Sequence, residues 1–198
     1  MAITTIALIK ARYSPDLDSD RDTALTSALA EAVDWVQNRT GRVIEEAAYT
    51  EYFNGDGSTK ILLDPGHRPV LHEAGKYVTV TDSGTSLTVD NSLGYNATAD
   101  VFLEHVNADR QCVVHLTSPM TVGVQNITVT YSAGWASGNG AGDTPEDIVA
   151  LVNEAAWLIF NSHSWVGKSQ VSGSRGSVSW EKDLTPQSMA TLKRLEVK

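Results

Sequence analysis

The sequence predicts an α+β fold: a small helical bundle with an inserted antiparallel β-sandwich or barrel-like unit, and a flexible C-terminal arm that ends in a helix. Three observations support it. Apolar residues recur at helical spacing towards both ends, the period changes to two between about residues 48 and 135, and residues 167–182 hold too few apolar side chains to pack alone. We therefore divide the chain into N-terminal helices (1–47), a β insertion (48–136), a long bundle helix (137–166), and the arm with its helix (167–198).

Two helices are predicted at the N-terminus. Ile3, Ile6 and Ile9 indicate a short helix that ends near Ser14-Pro15. The second helix begins at about Asp20 and has one apolar stripe at intervals of three and four residues, formed by Leu25, Ala28, Leu29, Ala32, Val33 and Val36. Gly41 can adopt the left-handed conformation that ends a helix, so the second helix is expected to end there.

Four segments of the insertion are predicted as strands: 77–81, 101–106, 112–116 and 125–132. In the last of them Ile127, Val129 and Tyr131 share one face. Turn-forming residues separate the apolar runs at 54–57, 82–84 and 107–109. Several short strands with such turns are typical of an antiparallel sandwich or a small barrel.

Two more helices follow the insertion. Thr144-Pro145-Glu146-Asp147 is a strong helix start, with a hydroxyl cap, proline at the first helical position and acids in the first turn. The apolar arc of this helix covers roughly 200°, wider than a surface helix needs. We therefore expect it to be surrounded, either by its own bundle or by a neighbouring subunit. The last helix begins at Thr185-Pro186, and Met189, Leu192 and Leu195 face one way.

Charge and cysteine content limit the possible functions. The 198 residues have a net charge of −9, and residues 43–150 hold 14 acidic against 4 basic side chains, which disfavours a protein that coats nucleic acid. The single cysteine, Cys112, excludes an intrachain disulfide framework and a multi-cysteine metal site. Ala2 to Ile9 lacks the basic leader of a secretory signal, and the uncharged stretch 111–142 is broken by polar residues. We expect a protein made in the cytoplasm that does not span a membrane.

Candidate ligand sites fail on their spacing. The aspartates at alternate positions 16–22 resemble a calcium loop, but Arg21 and Ser27 stand where a glycine and a bidentate acid are needed. The glycine-rich segment 137–143 lies where a phosphate loop would lie. However, the acids at the start of the next helix would repel a phosphate. Neither segment is therefore interpreted as a site.

The sequence also lacks the motifs of common enzymes. Cys112 and His115 are three apart in a predicted strand, so they are expected on opposite faces, which argues against a shared metal or a Cys–His dyad. No nucleophile elbow, zinc-protease motif or deaminase motif is present. We expect no catalytic residues, no metal and no cofactor. The least favoured function is that of a hydrolase whose site assembles from scattered aspartates and histidines.

Several short motifs follow one another in a recognisable order between residues 3 and 165: Thr40, Gly41 and Arg42 after the second helix, Tyr52 with Gly55-Asp56-Gly57, Tyr131 and Gly134 in the strand that ends at Trp135, and Pro145 before the long helix. Their order resembles the head–tail connector family of tailed phages (gp6-like adaptor or head completion proteins), so we call these residues the family-like positions. Leu62-Leu63 and Pro69-Val70 look like that family's strand pair. The arm and the last helix have no counterpart in the resemblance.

The resemblance implies a structural role in the virion. Such adaptors form a homo-oligomeric ring, usually twelvefold, in the neck between the portal protein and the stopper or tail. DNA passes through the ring without sequence-specific binding. From the composition of the arm we expect the contacts with the portal or a neighbouring subunit to be made by Arg175, Trp180, Lys182, Met189, Leu192 and Leu195. The alternative is a β module that binds a carbohydrate or a host surface through Tyr95, Trp135 and nearby loops.

Overall fold

A computed structural model describes residues 4–71, 77–93, 98–105, 112–135, 144–164 and 183–196. Four helices and two sheets confirm the α+β class. The chain divides into a helical unit, residues 1–44 with 144–198, and a β unit, residues 45–143. The predicted arm at 167–182 lies outside the described residues, and the finer division of the helical part stays a prediction.

All four predicted helices are present: α1 (Ile6–Tyr13), α2 (Asp22–Thr40), α3 (Glu146–Ser164) and α4 (Pro186–Leu195). α2 follows a single 3₁₀ turn, Ser19–Arg21, and ends where predicted. Gly41 is left-handed there, with φ of 67°, and its N–H donates to the carbonyl of Gln37 at 2.8 Å. The backbone conformation of this glycine thus sets the helix end.

The wide apolar arc of α3 is covered by helices of the same chain, since α1, α2 and α4 all pack against it. Seven of its apolar side chains are at most 5% exposed: Ile148, Leu151, Val152, Ala155, Ala156, Ile159 and Phe160. Of the two explanations that the sequence left open, the chain's own bundle is sufficient for these residues.

Glu154 of α3 holds the start of α4 in place. Its carboxylate accepts hydrogen bonds from the Thr185 N–H (2.9 Å), the Thr185 hydroxyl (3.0 Å) and the Ser188 hydroxyl. Near the other end of α4, Arg194 donates to Asp147 of α3 at 2.5 Å. Because Leu192 and Leu195 are also buried, α4 is an integral part of the bundle.

The described residues of the β unit form nine strands in two sheets. The strands are β1 (Ala47–Gly55), β2 (Lys60–Leu62), β3 (Val70–Leu71), β4 (Thr79–Asp82), β5 (Thr85–Leu87), β6 (Val89–Leu93), β7 (Val101–His105), β8 (Cys112–Leu116) and β9 (Gly123–Ala133). The first sheet has the order β1-β9-β4-β5, with β3 also paired to β9, and the second has the order β2-β8-β7-β6. Within the described residues these sheets do not close into a barrel.

The two sheets share one apolar core. Ile61, Leu103 and Val114 of the second sheet belong to the same buried cluster as Val129 and Tyr131 of the first. Period-two alternation is clear in β8, where Cys112, Val114 and Leu116 are buried and the residues between them are half-buried. This arrangement confirms the sandwich-like alternative among the predicted architectures.

Two features of the strand pairing go beyond what the sequence pattern predicts. β6 pairs with β7 in parallel, so the second sheet is mixed. The segments around Leu62 and Val70 form strands, but β2 pairs with β8 and β3 pairs with β9, so they belong to different sheets. The physical reason is the same in both cases: a period of two shows that a segment is a strand but does not encode its direction or its partner.

The first and the last described residues of the β unit are neighbours. Glu45 forms an isolated parallel bridge with Trp135, beyond the last residue of β9. Gly134, directly before Trp135, has φ of +103° and donates its N–H to the carbonyl of Pro69 at 3.0 Å. The entry and exit of the described β unit therefore lie side by side.

Candidate assembly surfaces

The six residues predicted to contact a portal or a neighbouring subunit fall into two groups, one outside the described residues and one on α4. Arg175, Trp180 and Lys182 lie outside the described residues. On α4, Met189 is half-buried, whereas Leu192 and Leu195 are 0% and 2% exposed. The two leucines already pack inside this chain's own bundle, so in this conformation Met189 is the member on α4 that retains accessible surface. The contact itself stays a prediction.

Most of the family-like positions lie at the end of α2, in the core of the β unit, at the end of β9 and directly before α3. Thr40 and Arg42 are buried at the end of α2, where the Thr40 hydroxyl donates to the Val36 carbonyl at 2.7 Å. Tyr131 lies in the core of the β unit, and Gly134 ends β9. Pro145 directly precedes α3, and its carbonyl accepts hydrogen bonds from the first turn of that helix.

A cluster of polar side chains joins three distant parts of the β unit. Glu51 of β1 accepts a hydrogen bond from the Tyr131 hydroxyl of β9, and its Oε1 lies 2.9 Å from Nδ1 of His67, in the segment between β2 and β3. His67 also stacks on Tyr49, with ring centroids 3.8 Å apart. Because these residues are far apart in sequence, no spacing motif could have revealed the cluster.

The chemistry of this cluster favours a structural role. Burial raises the pKa of Tyr131, and the hydrogen bond to Glu51 raises it further. The phenol therefore stays protonated and donates to the carboxylate, which makes it a poor base or nucleophile. The cluster is best interpreted as a set of hydrogen bonds that fixes the segment around His67 on the first sheet.

The outer face of the first sheet is rich in threonine. Directly opposed residues across an antiparallel sheet share a face, so Thr50 lies beside Thr130, with their hydroxyl oxygens 3.2 Å apart, and Tyr52 lies beside Thr128. Tyr52 is 63% exposed. β1 forms the edge of this sheet, with β9 as its strand neighbour in the described part of the chain.

At the start of β9, two valines are strongly exposed on a closely packed turn. Val122 and Val124 are 77% and 84% exposed on either side of Gly123. A Cβ on Gly55, which pairs with Gly123, would lie 1.7 Å from the carbonyl oxygen of Thr121. Close backbone approach thus requires glycine here.

The side chain of Asn126 fastens this turn. It accepts a hydrogen bond from the Gly55 N–H at 2.9 Å and donates to the Thr121 carbonyl at 2.7 Å and to the Ser83 hydroxyl at 3.2 Å. The exposed valines are therefore held in a fixed position.

The helical unit has a groove of about 730 Å³ bounded by α1, α3 and the start of α4. Its lining mixes apolar and charged groups: Leu8, Ala11, Arg12, Glu146, Asp147, Val149, Ala150, Asn153 and Gln187. Asp147 is already bonded to Arg194. Such a mixed lining does not indicate one ligand class.

Cys112 and His115 lie on opposite faces of β8, as predicted. Cys112 is buried, whereas the His115 ring stacks on Phe102 on the outer face and its Nε2 lies 2.6 Å from Glu104. Among the described residues, no three His, Cys, Asp or Glu side chains are grouped so that they could bind a metal ion. None of the described helices combines the length and the apolar character required to cross a bilayer.

The buried thiol makes stability depend on alkaline pH. Burial raises the pKa of Cys112 from 9.0 to about 12, although a backbone hydrogen bond from Glu104 partly offsets this. Above pH 9 the unfolded chain loses the thiol proton while the folded chain keeps it, so the free energy of unfolding falls as pH rises towards 12. When the pH is raised from 8 to 10.5, we expect the free energy of unfolding of the wild type to fall by about 2 kcal/mol more than that of Cys112→Ala. Urea unfolding at the two pH values measures both. An equal fall in the free energy of unfolding of the two proteins would contradict a raised pKa of Cys112.

Comparison with known proteins gives matches in structure but not in sequence. No family model and no curated protein matches the sequence. A chain in the neck of an empty gene transfer agent (GTA) particle computed with C6 symmetry superimposes with a TM-score of 0.55 at 16% identity. The match covers 99% of this chain and 90% of that one. A chain in the neck of a native GTA particle computed with C12 symmetry gives a TM-score of 0.52 at 14% identity over 100% and 93%.

A third match is a chain in the virion of the native GTA particle, with a TM-score of 0.52 at 16% identity, over 92% of this chain and 81% of that one. At such identities the likeness is one of fold, and it extends over nearly the whole length of this chain in the first two matches.

Proposed function

We propose that this chain is a structural component of the neck of a phage or phage-like particle, where identical copies form a ring between head and tail. The observation that supports this most directly is the fold likeness to a GTA neck chain across 99% of this chain. The C6 and C12 symmetry of the matched necks supports a rotationally repeated arrangement of copies. The head–tail connector resemblance of the sequence points the same way.

In this proposal the ring meets the portal on one side and a stopper or tail protein on the other, with DNA passing through the centre. The net charge of −9 suits such a channel, because acidic side chains repel DNA phosphates and leave the duplex free to move. We propose that Arg175, Trp180 and Lys182 contact the portal or the neighbouring copy, since an aromatic side chain between cations can bind a partner surface.

Imaging of isolated particles tests the neck assignment. Particles produced from the genome that encodes this chain should hold it at the head–tail junction, seen by cryo-electron microscopy and verified by mass spectrometry of the particle proteins. Deletion of its gene should give filled or empty heads without attached tails. Absence of the chain from purified, tailed particles would refute the proposal.

The portal contact needs a separate test. Trp180→Ala should weaken capture of the purified portal protein while the free energy of unfolding of the isolated chain stays unchanged. Trp35→Ala is the control, because Trp35 packs against the core of the helical unit and its loss should lower stability. Unimpaired portal capture by Trp180→Ala would remove this residue from the contact.

A further inference from the structure

The first sheet of the β unit has two open edges. β1 forms one edge and β5 the other, and in the described residues neither strand has a neighbour on its outer side. Alternate residues of an edge strand direct their N–H and C=O groups away from the sheet, towards water or towards another strand. Each edge is therefore a template for pairing.

β1 lacks the cationic and proline residues that often protect an edge strand from pairing. It is nine residues long, Ala47–Gly55, and contains no lysine, arginine or proline. Its one charged residue, Glu51, is bonded to Tyr131 and His67. The register shift in its pairing lies at one end, between Phe53 and Gly55, so the rest of the strand is regular.

The opposite edge is short, uncharged and accessible. β5 consists of Thr85–Leu87, of which Thr85 and Ser86 are exposed. It is joined to β4 by a two-residue turn in which Ser83 and Gly84 have φ of 49° and 83°. This turn fixes the register of β5 against β4.

The strand directions of the two edges match. β1, β9, β4 and β5 are each antiparallel to the next, so β1 and β5 run in opposite directions. When two copies stand side by side in the same orientation, β5 of one copy is therefore antiparallel to β1 of the other. Neighbouring copies in a ring are related in this way, because rotation about the ring axis does not turn a copy upside down.

The faces of the two edges also match. Tyr52 is opposed to Thr128, Thr128 to Thr81, and Thr81 to Ser86, so Ser86 and Tyr52 lie on the same outer face. Leu87 lies on the other face, where it packs against the core. Continuing the sheet from one copy to the next thus keeps outer face beside outer face.

We propose that copies of this chain join by pairing β5 of one copy with β1 of the next, which extends the first sheet from subunit to subunit. The contact uses two different surfaces, so it repeats around a ring and does not stop at a dimer. With three residues in β5, each junction has few hydrogen bonds, and the closed ring supplies the cooperativity. This inference rests on the proposed neck function.

Cysteine cross-linking in assembled particles tests the pairing. Thr50→Cys on β1 and Ser86→Cys on β5 are combined in one chain and oxidised in purified particles. Ala48→Cys and Tyr52→Cys, on the same face, replace Thr50→Cys in two further variants to cover other registers. The native Cys112 is 1% exposed and will not compete. The expected result is a ladder of covalent multimers with at least one pair, and monomers with each single variant.

The controls separate the possible outcomes. Particles that contain a mixture of Thr50→Cys and Ser86→Cys chains should give dimers but no ladder. Dimers from Thr50→Cys alone would mean that β1 pairs with β1, which overturns the proposal. No cross-link with any of the three pairs, in particles that contain the variants at the neck, overturns it and leaves the neck function intact. Absence of the chain from particles refutes the neck function instead.

Discussion

Gly134→Ala should destabilise the β unit by about 3 kcal/mol or more. The φ of +103° is unfavourable for any residue with a side chain. In addition, the new Cβ would lie 2.4 Å from the carbonyl oxygen of Glu45 and 2.9 Å from the nitrogen of Glu46. Backbone atoms must move to relieve this overlap, and the bridge between Glu45 and Trp135 lies beside it.

Gly84→Ala is the matched control for Gly134→Ala. Its φ is +83°, but a Cβ there would have no atom within 4 Å. The cost should then be the conformational strain alone, about 1 kcal/mol. Urea unfolding of both variants, monitored by a signal from the β unit, gives the comparison. Equal losses would show that backbone conformation, and not the close approach to Glu45, decides the requirement for glycine.

Leu192→Ala should lower the free energy of unfolding of the helical unit by about 3 kcal/mol, because the leucine is 0% exposed and its truncation leaves a cavity. Lys193→Ala, one position along on the exposed side of α4, should change it by less than about 0.5 kcal/mol. Thermal or urea unfolding of the isolated chain measures both.

The same pair of variants tests the role of α4. If Leu192 served mainly as a contact with a partner, the isolated Leu192→Ala chain would keep its stability and lose only binding. The burial of Leu192 and Leu195 also determines how much of the chain a deletion of the arm, residues 167–182, can remove. A truncation that includes α4 exposes the helical core, so the informative deletion ends before Asp183.

Local signals made the helices predictable. The stripe in α2 and the glycine after it determine both its face and its end, and Thr144-Pro145 defines the start of α3 to within a residue. β8 has the bounds that the sequence predicted, Cys112–Leu116. In the helices the relevant interactions join residues close in sequence, so the local pattern is sufficient to predict them.

Long-range pairing could not be predicted in the same way. β1 pairs with a strand about 80 positions later, and the contact of Glu51 with His67 and Tyr131 depends on that pairing. Asn54 and Gly55 have the composition of a turn, yet they lie in β1 because each forms a hydrogen bond across the sheet. Asn54 Oδ1 accepts from the Gln125 N–H, and the Gly55 N–H donates to Asn126 Oδ1. Distant partners decide such positions, and nothing in the neighbouring sequence records them.

The adjacency of Glu45 and Trp135 makes the intervening segment a self-contained cassette. Its first and last residues are neighbours, so a recombination event that removes or exchanges the segment has only a short gap to rejoin. Grafting it into a surface loop of an unrelated carrier would demand little extra chain.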